Sequence, residues 1–152
     1  MRNLLLTSLV ALYCACLPVD DLAAQTTPRQ LVLVSSSESA VTGLSNKETR
    51  KVFLAVPTVV DGVRLKPLLN ESDPLVSEVF LQKVIFMSKS KYERQLVSRV
   101  FRVGGSRPPV FKDIAKLLAE LRASPDRITY MWSDQFTPTD GVKSIGVLWE
   151  DS

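Results

Sequence analysis

The chain has 152 residues, 45% of them apolar, with a formal net charge of +3, two cysteines and no histidine. Without histidine a Ser-His-Asp triad cannot form. Both cysteines, Cys14 and Cys16, fall in the N-terminal leader read below, so neither a thiolate nucleophile nor a zinc site is expected of the remaining chain.

Arg2 precedes an apolar run from Leu4 to about Leu17, and Leu22-Ala23-Ala24 supplies the small residues a signal peptidase accepts. The run is short for a membrane span, and Asp20-Asp21 follow it. The expectation is an export signal over residues 1–24, cleaved after Ala24. Residues 25–152 then form one periplasmic or secreted domain that does not span the membrane, large enough for its own core. Lipid attachment at Cys14 or Cys16 is the alternative, although the residues before them make a poor motif.

Leu31-Val32-Leu33-Val34 reads as a strand buried on both faces, and Ser35 to Ser39 as a polar loop after it. Ser45 and Glu48 have capping-box spacing, which starts a helix that Pro57 should end near Ala55-Val56. Asp61-Gly62 marks a turn into a second strand, Val63 to Leu69, whose Pro67 suits a sheet edge. Asp73-Pro74 caps a second helix with an apolar face that includes Leu75, Val79, Phe80, Val84 and Phe86.

Ser90 and Glu93 suggest another capping box. The third helix carries Tyr92, Leu96 and Val100 at four-residue spacing, flanked by Val97 and Phe101. Gly104-Gly105 break it, and Ser106-Arg107-Pro108-Pro109 keep the chain extended. A fourth helix runs from Val110 through Leu121 and stops by Ser124-Pro125. Ile128 to Trp132 and Ile145 to Trp149 are strands, separated by a turn at Asp140-Gly141. The order of elements gives an α/β layered domain.

From Lys83 to Lys116 there are nine basic residues against Glu93 and Asp113. Such a field attracts anions. Tyr92 and Phe101 within it fall on apolar helix positions instead of interleaving with the charges, so nucleic acid is not the expected partner. Ser88-Lys89-Ser90-Lys91 has the Ser-x-x-Lys spacing of some acyl-transferring hydrolases, with Ser133-Asp134 as a partial companion. No Lys-Thr-Gly element accompanies it, so no catalytic residue is assigned.

Several segments in series carry a resemblance. They are Leu44-Ser45 with Val52-Phe53-Leu54, Asp61-Gly62, Leu65-Lys66-Pro67-Leu68, Asn70-Glu71-Ser72-Asp73, Lys89-Ser90 with Gln95-Leu96, Gly104-Gly105 with Pro108-Pro109, and Pro125 to Tyr130. In that order they resemble one lobe of the type 2 periplasmic solute-binding fold, nearest to short relatives of the phosphate-binding protein of ABC phosphate importers. Ala55, Arg127 and Thr129 stand where that group commonly has glycine. The resemblance implies a mixed sheet of about four to five strands with helices packed on it, in a non-catalytic domain without cofactor or metal. Its ligand would be phosphate or another small oxyanion, and its partner an ABC permease or an envelope sensor. An envelope protein-interaction module that kept the lobe and lost the ligand is the alternative.

Three loops are candidate ligand sites. Ser36 and Ser37 follow the first strand, where open α/β sheets place ligands. Ser72 lies in the turn that the resemblance aligns with the family's phosphate-binding turn, although Glu71, Asp73 and Pro74 are unfavourable company for an anion there. Gly105, Ser106 and Arg107 offer exposed N–H groups and a guanidinium suited to an oxyanion.

Overall fold

The computed structural model describes residues 28–151; the expected export signal lies outside them. A four-stranded mixed sheet in the order β4-β7-β1-β8 organises the described residues. Strand β1 (Gln30–Ser36) is central and antiparallel to both β7 (Arg127–Trp132) and β8 (Val142–Glu150). Its side chains alternate between two cores. Leu31 and Leu33 join one cluster, and Val32 and Val34 join the other. Likewise Ile128, Tyr130 and Trp132 of β7 enter the first cluster and Met131 the second.

Helix α1 (Asn46–Phe53), α2 (Pro74–Val79) and α3 (Lys89–Val103) cover the first face. A π-helical stretch, Phe80–Ile85, continues α2. Helix α4 (Ile114–Arg122) covers the second face through Leu117 and Leu121. Phe80 stacks on Tyr130 at 3.6 Å between centroids, and Phe53 meets both rings edge-on at 4.8 and 5.5 Å. The Tyr92 hydroxyl donates to the Phe53 carbonyl at 2.5 Å, which ties α3 to the end of α1. Burial pushes the Tyr92 phenol well above its ordinary range, against a small opposing effect of Arg107, so it remains a donor.

The Ser45–Glu48 capping box forms as the spacing requires, with Glu48 N–H donating to Ser45 and the Glu48 carboxylate accepting from the Ser45 N–H at 2.9 Å. The helix stops earlier than Pro57 alone demands. Ala55 takes φ 57°, and the N–H groups of Ala55 and Val56 bond back to Val52 and Lys51, each at 2.9 Å. This paired bonding is a Schellman stop with alanine where glycine is favoured.

Other boundaries also differ from the sequence reading. Ser35 and Ser36 belong to β1 and are buried instead of forming a loop. The expected second strand is broken into β3 (Val63–Arg64), β4 (Lys66–Pro67) and β5 (Leu69–Asn70), with β3 in a small hairpin with β2 (Val59–Val60). Ser88, not Ser90, caps α3, accepting from Lys91 N–H. Val110–Phe111 form strand β6, parallel to β5, and α4 begins only after Asp113, whose carboxylate caps it. Leu75, Phe86, Val97 and Phe101, assigned to apolar helix faces, are exposed, Phe101 by 86%.

A non-glycine residue in the left-handed region carries roughly 1–2 kcal/mol of steric cost, partly offset in a glycine variant by its larger unfolded-state entropy. Ala55→Gly is therefore expected to raise stability by about 0.5–1 kcal/mol, read as a higher urea midpoint at unchanged m-value.

Candidate anion site

The sheet edge at β4 explains how the site arises. Lys66 and Leu68 turn their N–H groups inward, to Asp126 and Ile128 of the β7 segment. The outward positions alternate with these. Leu65 N–H bonds to Thr58 O at 3.0 Å, and Leu69 N–H to Pro109 O at 2.9 Å. Between them sits Pro67, which has no N–H. The flanking segments therefore part over Pro67, and a groove of about 780 Å³ opens there. Because its floor has no donor at that position, the groove cannot take up a peptide as an added strand through Pro67.

Four cationic side chains line this groove, Arg64, Lys66, Arg99 and Arg107, and no carboxylate does. Lys66 is paired with Asp126 at 2.7 Å. Among the described residues no carboxylate lies within ion-pair distance of Arg64, Arg99 or Arg107. Two helix C-termini, those of α1 and α3, open onto the groove, and their partial negative charge favours cations there. Arg99 Nε accordingly donates to the Ala55 carbonyl at 3.0 Å. Gly104 and Gly105, both at positive φ (71° and 104°), turn the chain from α3 along the groove wall into Ser106 and Arg107.

The candidate loops do not converge. Gly105, Ser106 and Arg107 share the groove. Ser36 is buried at the far end of β1, its hydroxyl accepting from Glu38 N–H at 3.2 Å. Ser37 donates its hydroxyl to Gly141 O at 3.0 Å. Ser72 donates to Asn70 Oδ1 at 2.6 Å, and buried Asn70 in turn donates to Tyr130 O at 3.0 Å.

The β1–β7 register pairs Ser35 with Ile128, whereas Asp73 accepts from the Trp132 indole at 3.1 Å. Ser36 and Ser72 thus sit toward opposite ends of β7. The carboxylates beside Ser72 are engaged, Glu71 with Lys89 at 3.0 Å and Asp73 with its cap and Arg29. The Glu71 pair holds Lys89, and Ser88 of the Ser-x-x-Lys pattern serves as a helix cap, its hydroxyl accepting from Lys91 N–H.

Sequence reasoning missed Arg64, Lys66 and Arg99. Arg64 and Lys66 flank Leu65, a charged–apolar–charged pattern on a strand marked as an edge by Pro67, and that was the available signal. Arg99 was one of nine charges in a basic run, with nothing in the spacing to separate it from the others.

The fold superposes on PstS from Borrelia burgdorferi with a TM-score of 0.53 at 13% identity, covering 78% of this chain and 47% of that one. A structure described as the substrate binding domain of a molybdenum ABC transporter from Clostridium difficile overlaps at a TM-score of 0.45 and 15% identity, over 79% of this chain and 43% of its own. The fold assignment rests on the first: the described residues have the fold of a periplasmic binding-protein domain. The chain spans about half the length of the solved proteins it matches. No protein-family model and no curated protein matches it.

The Lys66–Asp126 pair at the groove edge sets a pH dependence. Burial pushes the Asp126 carboxyl up, but hydrogen bonds from Lys66 and Ser124 outweigh it and hold the group below its ordinary range. A depressed folded value contributes stability above the unfolded value of about 3.9 and loses it as the pH falls through the folded value. Wild type should exceed Asp126→Asn by about 0.5–1 kcal/mol at pH 7. In urea unfolding, that gap should shrink as the pH is lowered from about 5 toward 2.

Proposed function

We propose that the chain is an exported, non-catalytic solute-binding-type domain that holds a phosphate-like oxyanion in the groove over Pro67 and serves uptake or sensing through an ABC permease or an envelope sensor. The observation that carries this reading is the convergence of Arg64, Arg99 and Arg107 on one hollow without a lining carboxylate. The binding-protein fold and the serial resemblance to phosphate-importer proteins support it, and the N-terminal leader supports export. Gly105, Ser106 and Arg107 are the ligand residues of this proposal, joined by Arg64 and Arg99. Ser36, Ser37 and Ser72 are given structural roles, because their hydroxyls are already engaged within the protein.

A second reading, an envelope protein-interaction module, has one observation in its favour. Val97 and Phe101, one helical turn apart on the outer side of α3, are 38% and 86% exposed.

Thermal unfolding in the presence of phosphate separates the two. At ten times its dissociation constant, phosphate should add about 1.4 kcal/mol, which for a domain of this size is a Tm rise of roughly 4–8 °C. Arg107→Ala should abolish the rise and Ser72→Ala should keep it. No movement in millimolar phosphate or sulfate would favour the interaction module.

A further inference from the structure

We infer that the groove takes an organic phosphate, an anionic head on an apolar body, in preference to free inorganic phosphate. This rests on the oxyanion reading above and adds the class of ligand. A volume of about 780 Å³ falls within the roughly 300–1,000 Å³ of sites that enclose drug-sized ligands, and far exceeds what a tetrahedral anion fills.

The lining divides by chemistry. Arg64, Arg99 and Arg107 supply the charge, while half-buried Pro67 and Val100 supply apolar surface between them. Val56, Pro57 and Val103 extend that surface along the walls, and Val103 stays 68% exposed in the free protein. Apolar side chains left in water beside guanidinium groups that have no carboxylate partner are complementary to a ligand that brings both kinds of surface.

The same features argue against the other occupants of a basic hollow. Pro67 removes the outward N–H that a strand-adding acidic peptide would use. A purely polar polyanion would leave the apolar walls uncovered. The organic body has two possible sources, a soluble metabolite-sized phosphate or a phospholipid headgroup, and the shared chemistry is a phosphate monoester or diester on a hydrophobic group.

Isothermal titration with phenyl phosphate, inorganic phosphate and phenol tests this directly. Phenyl phosphate should bind at least about tenfold more tightly than phosphate, with phenol alone not binding measurably. Arg64→Ala and Arg107→Ala should each weaken both phosphates. Val103→Asn, at an exposed position that leaves folding intact, should reduce the advantage of phenyl phosphate severalfold and leave inorganic phosphate unchanged. Sedimentation with phosphatidylcholine vesicles containing phosphatidic acid identifies the source. Arg107-dependent binding to those vesicles, absent with phosphatidylcholine alone, assigns the lipid, and retention of the phenyl phosphate preference without vesicle binding assigns the soluble ester. Equal affinity for phosphate and phenyl phosphate would overturn the inference while leaving oxyanion binding intact. Failure of both to bind would overturn the oxyanion reading as well.

Discussion

The fold depends on burying β1 and β7 on both faces at once. A strand whose side chains all lie in protein has no water to satisfy its backbone, so every N–H and C=O must find a neighbouring strand. β1 does so between β7 and β8, and β7 between β1 and β4. Alternation then sends Leu31 and Leu33 one way and Val32 and Val34 the other, which requires a helical layer on each side. The first layer is built around Phe53, Phe80 and Tyr130, and the second, smaller one around Leu117 and Leu121. Thr129, fully buried in β7, shows how tightly polar groups are handled there: its hydroxyl donates to Leu68 O at 2.8 Å, linking the central strand to the edge segment.

Central strands held this way leave the sheet's edges to manage themselves. On one side β8 is long but shifts register twice against β1, which bends an exposed edge away from flat pairing. On the other side the edge is cut into two-residue pieces and interrupted by Pro67. The groove is a product of that second solution. Where the outward backbone positions at Leu65 and Leu69 are taken by Thr58 and Pro109, the chain closes over, and where proline offers nothing it stays open. The C-termini of α1 and α3 then meet the opening, and Arg99 answers the Ala55 carbonyl after α1.

Much of this was legible in the residues. The four-residue apolar run at Leu31, the Ser45–Glu48 box, the Asp73-Pro74 cap and the glycine pair after α3 each announce their element through local chemistry, and each formed. Fold class was legible for the same reason, since it follows from the order of elements. Boundaries set by tertiary pairing were not. Val110 and Phe111 look like the first turn of an amphipathic helix, yet Leu69 and Glu71 draw them into a parallel ladder, and Asp113 supplies the real cap. Ser88 displaced Ser90 because either hydroxyl suits the position and sequence spacing alone does not choose. The candidate site divides in the same way. The Gly-Gly-Ser-Arg loop was visible as a local motif, whereas Arg64 and Arg99 meet it only because the sheet edge and the end of α3 are brought together.

Charge alone is a weak instrument in such a place. Exposed cations are well solvated and each attracts an anion by only a fraction of a kcal/mol in water. An oxyanion gains strongly from guanidinium groups when water is excluded from the contact, and a groove open on one side does not exclude it without help. The apolar walls matter for that reason. A ligand body laid across Pro67, Val100 and Val103 would displace water from the same groove that the arginines line, and the gain from apolar burial and the strengthening of the ion pairs would come together. In a two-walled clamp a second domain performs that exclusion. For the groove over Pro67, the proposed ligand's own apolar body takes that part.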